Sequence, residues 1–352
     1  MSSAAPTLPA EIIKHILELA VEGAATWDNG DAQANPRSGY DLLRKAARVS
    51  KAWSVPACEA LWQRVELRTG AQAFEFASSA GNRRYRTKEV LVDCPVGPSL
   101  MKMLAELEGV KSLEIGPRVK GISSDFMYLP SLKDLSSLKI RCMVVESYRR
   151  SSSPEIKPIP LQLKHLTISG EFSSRRTAAA ILLGVQHSLI SLDLQNLSKK
   201  FPVPTTAFPP LPNLTTLKFN DHASSFAQNL LPHNSNLRQS FLFDQSEVAE
   251  FQALFSNSVK TSLHSLELSN SHLVSPYSWR GEEYDAAARI RHYDAVEWAL
   301  HEFEVLRELR VLRVGWTRTS LGKSHSGATL LRTIDLRGIK LEGLSAQPVN
   351  IL

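Results

Sequence analysis

The chain has 352 residues, of which 43% are hydrophobic and 22% charged, with a net charge of +6. That composition argues against a disordered chain and suits one large or two ordinary globular domains. No run approaches the ~18 apolar residues of a membrane span and no basic N-terminal region leads into an apolar stretch, so a soluble protein of the cytoplasm, the nucleus or both is expected, with no membrane partner.

In chain order, the first element predicted is a helix over Leu8-Pro9-Ala10-Glu11-Ile12-Ile13-Lys14-His15-Ile16-Leu17. Proline suits a first helical turn and an acidic residue suits its positive end. Ile12, Ile13, Ile16, Leu17 and Ala20 then recur at three- and four-residue spacing. Residues 22 to 40, with Gly, Asn, Asp and Pro, read as an inserted loop. A second amphipathic helix carries Leu42, Leu43, Ala46, Val49 and Trp53, and a third short one runs from about Pro56 to Trp62.

Beyond Trp62 the pattern Leu-x-x-Leu-x-Leu recurs with apolar substitutions: Val110-x-x-Leu113-x-Ile115, Leu135-x-x-Leu138-x-Ile140, Leu163-x-x-Leu166-x-Ile168, Leu189-x-x-Leu192-x-Leu194, Leu214-x-x-Leu217-x-Phe219, Leu263-x-x-Leu266-x-Leu268, Leu309-x-x-Leu312-x-Val314 and Leu331-x-x-Ile334-x-Leu336. Two weaker copies centre on Val65 and Val90. Counted on the middle apolar residue, the intervals from Val65 to Leu217 are 25, 23, 25, 28, 26 and 25 residues. Side chains alternate along a strand, so the last two apolar residues of each copy share one face. Helix-compatible segments at Ser99 to Leu107, Thr177 to Val185 and Ser246 to Phe255 fall between strands. One such unit cannot bury its apolar face alone, so the copies are expected to stack into an α/β solenoid with parallel strands on its concave wall. An ordinary α/β sheet would also alternate strands with helices, but it does not predict one pattern at a nearly constant interval.

The beat blurs near Ser240 and Phe241, where two registers compete: Leu237-x-x-Ser240-x-Leu242 turns Phe241 and Phe243 outward, while Phe241-x-Phe243 turns both inward. The inward register is the one expected. One long interval follows, and a helical insertion is predicted at about 271–306. Its stripe of Ile290, Tyr293, Val296, Leu300 and Phe303 packs on the core.

The intervals and the pattern resemble irregular leucine-rich repeats over roughly Trp62 to Ile339. Ahead of them, Leu8-Pro9-x-Glu11-Ile12 with Ile16-Leu17, then Val49-Ser50-Lys51-Ala52-Trp53, then Leu61-Trp62, resembles the F-box motif. Together they resemble the fungal-type F-box proteins with leucine-rich repeats, and the loop at 22–40 is longer than that pattern has. The resemblance implies a three-helix F-box module at 1–62 and a horseshoe-shaped solenoid at 63–352. It also implies the role of substrate receptor in a Skp–cullin–F-box ubiquitin ligase. In that role Leu8, Pro9, Ile12, Ile13, Ile16, Val49 and Trp53 divide between contacts to a Skp-type adaptor, which links to cullin, and the module's own core. A leucine-rich-repeat scaffold without ubiquitin transfer shares the solenoid and differs in the N-terminal module, which would then be a plain helical cap.

No catalytic motif stands out. Gly315 to Ser324 ends like a phosphate-binding loop, but the first glycine that such a loop needs is replaced by Thr317. The histidines show no metal-ligand spacing, and Cys58, Cys94 and Cys142 lie too far apart for a zinc or disulfide framework. The sequons at Asn196 and Asn213 fall inside repeats. The basic clusters at Arg83, Arg84, Arg86 and Lys88, and at Arg149 and Arg150, lack interleaved aromatics, so no nucleic-acid partner is expected. Hence a non-enzymatic chain without cofactor or metal is predicted, with a protein substrate. Its outward strand positions would be Glu66, Leu91, Glu114, Lys139, Thr167, Asp193, Lys218, Glu267, Arg313 and Asp335, a column of mixed charge. Tyr277, Trp279 and Trp298 in the insertion, with Phe241 and Phe243, are the candidate substrate anchors.

Overall fold

Strand periodicity in the sequence is matched by parallel strands in the computed structural model. It describes residues 8–26, 37–78, 87–95, 99–145, 158–170, 175–194, 210–220, 238–243, 261–269, 299–301, 303–312 and 325–342. The architecture is α/β. Its contacts form two units, Met1–Lys120 with Phe126–Leu135, and Gly121–Asp125 with Ser136–Leu352. Among the described residues no helix is long and apolar enough to cross a membrane.

The first unit opens with helices α1 (Ala10–Thr26), α2 (Arg37–Val49) and α3 (Lys51–Gln63). The Pro9 carbonyl starts α1 by accepting the amides of Ile12 and Ile13, both at 3.1 Å. The helix outruns its predicted end, since Ala24 and Ala25 favour helix strongly enough to carry it past Gly23. With α2 beginning at Arg37, the expected insertion at 22–40 narrows to 27–36, outside the described residues.

The second and third helices divide at Ser50 rather than near Pro56. Ser50 is extended, with φ −162° and ψ 169°, and its carbonyl accepts the amides of Trp53 and Ser54 at 3.2 and 3.0 Å. Trp53 therefore belongs to α3. Pro56 sits buried inside that helix, where its missing N–H forfeits one bond, to Ala52. Ile13, Leu17, Leu43, Ala46 and Ala57 form the shared core, with Ala47, Trp53, Ala60 and Leu61 packed against it.

Strand β1 (Arg64–Leu67) follows α3 directly, and α4 (Gly70–Ser78) comes next. A capping box starts α4: Thr69 Oγ1 accepts the Gln72 amide at 3.2 Å, and Gln72 Oε1 accepts the amides of Arg68 and Thr69 at 2.9 and 3.2 Å. Trp62 stacks on Phe76 with centroids 5.8 Å apart, joining the end of α3 to α4. Then come β2 (Glu89–Val92), α5 (Ser99–Ala105) and β3 (Ser112–Ile115). The three strands are parallel and in register: Val65 lies beside Val90, and Val90 beside Leu113.

The second unit repeats the arrangement. A short parallel pair joins β4 (Ile122–Ser123) and β6 (Val144–Val145). The main strands are β5 (Ser137–Ile140), β7 (His165–Ile168), β8 (Ser191–Leu194), β9 (Thr216–Asn220), β10 (Gln239–Phe243), β11 (Ser265–Ser269), β12 (Glu308–Leu312) and β13 (Lys340–Glu342). Each is parallel to the next in sequence, so every connection crosses over. Helix α6 (Arg175–Val185) lies where Thr177 to Val185 predicted one, as α5 does for Ser99 to Leu107; Ser246 to Phe255 lies outside the described residues.

The register aligns Leu138, Leu166, Leu192 and Leu217 in one row, all at most 1% exposed. Ile140, Ile168 and Leu194 form the row beside it, and the leading residues Leu135, Leu163, Leu189 and Leu214 are equally buried. Each such side chain removed from water contributes roughly 1.5–3 kcal/mol. Backbones pack as closely as side chains here. A Cβ at Gly170 would lie 1.9 Å from the Cys142 carbonyl oxygen, so only glycine fits at that approach.

Three register expectations are corrected. Ser240 lies between Leu217 and Leu266, and Phe241 between Lys218 and Glu267, so β10 adopts the register opposite to the expected one. In β12 it is Leu309 that aligns with Leu266, three residues before the predicted marker Leu312. Leu306-x-x-Leu309-x-Val311 satisfies the same pattern, and Leu306 and Leu309 are buried.

The last predicted strand, Leu331-x-x-Ile334-x-Leu336, is instead helical, within α7 (His325–Leu336). Leu330 and Ile334, four apart, are its buried side. The helix ends at Gly338, with φ 63°, in a Schellman turn: the Gly338 amide reaches the Asp335 carbonyl and the Ile339 amide the Ile334 carbonyl. Strand β13 then pairs Leu341 with Leu309. The register row of the outward column therefore holds Arg310 and Glu342 in place of Arg313 and Asp335.

Candidate protein-docking face

A helix needs about a third of its circumference to face a core. On α1 that side is Ile13 and Leu17, at 1% and 2% exposed, yet the helix carries a second apolar stripe. Ile12, Ile16 and Leu19 follow one another at four and three residues, with Leu8 four residues ahead. Their exposures are 48, 40, 54 and 50%. On α2, Leu43 and Ala46 enter the core while Leu42 and Val49, seven residues apart, stand 38% and 70% exposed. On α3, Pro56 and Ala57 are buried and Val55 is 50% exposed. Six of these exposed side chains lie on the three helices that share one core, and Leu8 lies two residues ahead of α1.

The seven residues expected here thus separate. Leu8, Pro9, Ile12, Ile16 and Val49 are exposed, Ile13 is core, and Trp53 is half-buried against the core. Leu19, Leu42 and Val55 join the exposed set without having been expected. The signal for the first two was present: Leu19 is seven residues after Ile12, and Leu42 seven before Val49.

Exposed aliphatic side chains of this size and number make these helices the candidate for an interaction surface. The face offers no chemistry of its own. The exposed charged and histidine residues of these helices are of mixed sign: Glu11, His15 and Glu18 on α1, Asp41, Arg44, Lys45 and Arg48 on α2, and Lys51 on α3. Among the described residues no group of three or more His, Cys, Asp or Glu could hold a metal.

Cys58 lies in α3, while Cys94 and Cys142 follow β2 and β5. Cys142 is pushed up to about 11 by burial, and Cys94 is raised by burial and by the neighbouring Asp93 carboxylate. Neither is a nucleophile at neutral pH. On the substrate side, Tyr277, Trp279 and Trp298 lie outside the described residues, as does the Gly315 to Ser324 loop. Phe241 and Phe243 occupy β10, with Phe241 in the row that also holds Asp193 and Lys218.

No family model matches the chain, and no curated protein matches it. Among solved structures, one of the complex of Rad7 and Elc1 in yeast is similar to it, at 15% identity and a TM-score of 0.30, with 86% of this chain and 89% of that chain covered. A likeness that loose carries no argument about function.

Proposed function

We propose that this chain is the substrate-recognition subunit of a Skp–cullin–F-box ubiquitin ligase. The observation that carries the reading is the aliphatic surface the N-terminal helices leave uncovered: Leu8, Ile12, Ile16, Leu19, Leu42, Val49 and Val55 stand 38–70% exposed on a module that already has a core. A cap that merely closed the end of a repeat array would not need large aliphatic side chains outside its own core. A Skp-type adaptor, itself joined to cullin, covers the exposed side, and residues 8 to 62 form the F-box.

The parallel strands, of which β5, β7, β8, β9, β11 and β12 carry Leu138, Leu166, Leu192, Leu217, Leu266 and Leu309 into buried positions, support a leucine-rich-repeat solenoid as the substrate-binding part. Its polar rows and the aromatic candidates Phe241, Phe243, Tyr277, Trp279 and Trp298 are where a protein substrate docks. The chain performs no bond-breaking step. It holds substrate lysines near a charged ubiquitin-conjugating enzyme, and raised effective concentration accelerates the transfer.

Reconstitution tests this. The full chain mixed with a purified Skp-type adaptor and cullin should elute as one complex. Replacing Leu8 and Pro9 by alanine should dissociate it while the circular dichroism spectrum stays unchanged. A chain that elutes alone under all conditions would refute the proposal.

A further inference from the structure

The last carbonyls of a helix lack intrahelical amides and need donors from elsewhere. In two pairs of neighbouring repeats the donor is a side chain of the following repeat, placed in the same register. Asn213, three residues ahead of β9, donates its side-chain amide to the His187 carbonyl, four residues ahead of β8, at 2.7 Å. Arg337, three residues ahead of β13, donates to the Glu304 carbonyl, four residues ahead of β12, at 3.1 Å. The guanidinium reaches further than the amide can. Its Nη2 also donates to the Phe303 carbonyl at 2.5 Å, and its Nη1 to the Leu300 carbonyl. These acceptors lie where the long interval between β11 and β12 ends, at and just after the helical turn 299–301. A planar fork of five donors suits several carbonyls at once, and its positive charge suits the C-terminal end of a helix. The turn at Gly338 leaves Arg337 at the end of α7, its amide on the Thr333 carbonyl at 3.0 Å.

We propose that Arg337 is a conformational latch: it holds residues 299–306 to the last repeat, and its release opens that segment while the strands stay paired. The strands have their own backbone bonds. Lys340 donates its amide to the Arg307 carbonyl at 2.8 Å, and β13 stays in register with β12. The segment depends more on the guanidinium, because Ala299, Leu300 and Phe303 are buried and acceptors beside a buried cluster that lose their donor are costly. Its internal bonds are long by comparison, the Phe303 amide on the Ala299 carbonyl at 3.1 Å and the Leu306 amide on the Phe303 carbonyl at 3.3 Å.

Amide hydrogen exchange of the full chain, resolved by residue, tests the latch. In Arg337→Ala the amides of Phe303 and Leu306 should exchange about tenfold faster, the scale of a lost hydrogen bond from a charged donor, while those of Glu308 and Lys340 keep the parent's rates. Arg337→Lys keeps the charge without the fork and should show most of the same acceleration; it carries the comparison if the alanine variant does not fold. Unchanged exchange at Phe303 and Leu306 in Arg337→Ala would overturn the proposal. So would equal acceleration of the strand amides, which would make Arg337 part of the global fold, or parent-like exchange in Arg337→Lys, which would leave charge alone as the tie.

Discussion

The helical module and the strand repeats use the same large aliphatic residues in opposite ways. In the repeats, Leu138, Leu166, Leu192 and Leu217 are at most 1% exposed because each lies beside the equivalent residue of the next strand. In the helices, Ile12, Leu19 and Val49 have no next copy and stay 48, 54 and 70% exposed. A repeat covers itself with its next copy, whereas the helices leave part of their aliphatic surface uncovered. The contrast locates packing stability in the strands and the proposed association in the helices.

The sharpest break of that contrast comes from truncating a repeat leucine. Leu192→Ala should lower unfolding stability by roughly 2–5 kcal/mol, measured by denaturant titration, and an effect below about 0.5 kcal/mol would mean that the row is not a packed core.

The dryness of the repeat core has a pH signature. The Cys142 thiol ionises near 9.0 when unfolded and is raised to about 11 by burial in the folded chain. Between those values the folded state holds the proton that the unfolded state has lost. Its contribution to stability is therefore complete below pH 9 and falls away as pH rises toward 11. Cys142→Ala should flatten that part of the stability profile, and an unchanged slope would contradict the assignment.

A smaller effect sharpens the repeat pattern itself. Thr87 occupies the leading apolar position before Val90 and Val92. It is fully buried, and its hydroxyl has no hydrogen-bond partner. Thr87→Val should raise stability by about 1 kcal/mol, since a buried unsatisfied hydroxyl costs that order. Smallest of all, Val49→Ser should leave stability within about 0.5 kcal/mol of the parent, as an exposed substitution does, although Val49 is as aliphatic as the repeat residues.

The repeat was readable because its signal is periodic twice over, within each strand and between strands. It failed where the pattern could be satisfied in two ways. Leu306-x-x-Leu309-x-Val311 and Leu309-x-x-Leu312-x-Val314 overlap by three residues, and only pairing with β11 selects the first. Leu331-x-x-Ile334 also satisfies helical spacing, and the turn at Gly338 decides for the helix. At β10 the competing registers placed Ser240 or Phe241 in the core row. A serine there is locally unfavourable, but both neighbouring strands hold the chain in that register.

In the helices the amphipathic side was legible while its division was not. Ile12 and Ile13 are adjacent in sequence, and which of them is buried depends on where α2 and α3 pack. The break at Ser50 was hidden behind the stronger punctuation of Pro56, which the helix tolerates.

The exposed aliphatic residues of α1 to α3 are proposed to form a docking surface. Calorimetric titration of a purified Skp-type adaptor into the full chain, repeated at several temperatures, tests it against the variant carrying Ile12→Asp, Ile16→Asp and Val49→Asp. The parent should bind with a negative heat-capacity change, the mark of buried apolar surface, and the variant should show no binding while melting at the parent's temperature. Equal binding by both chains would contradict the claim.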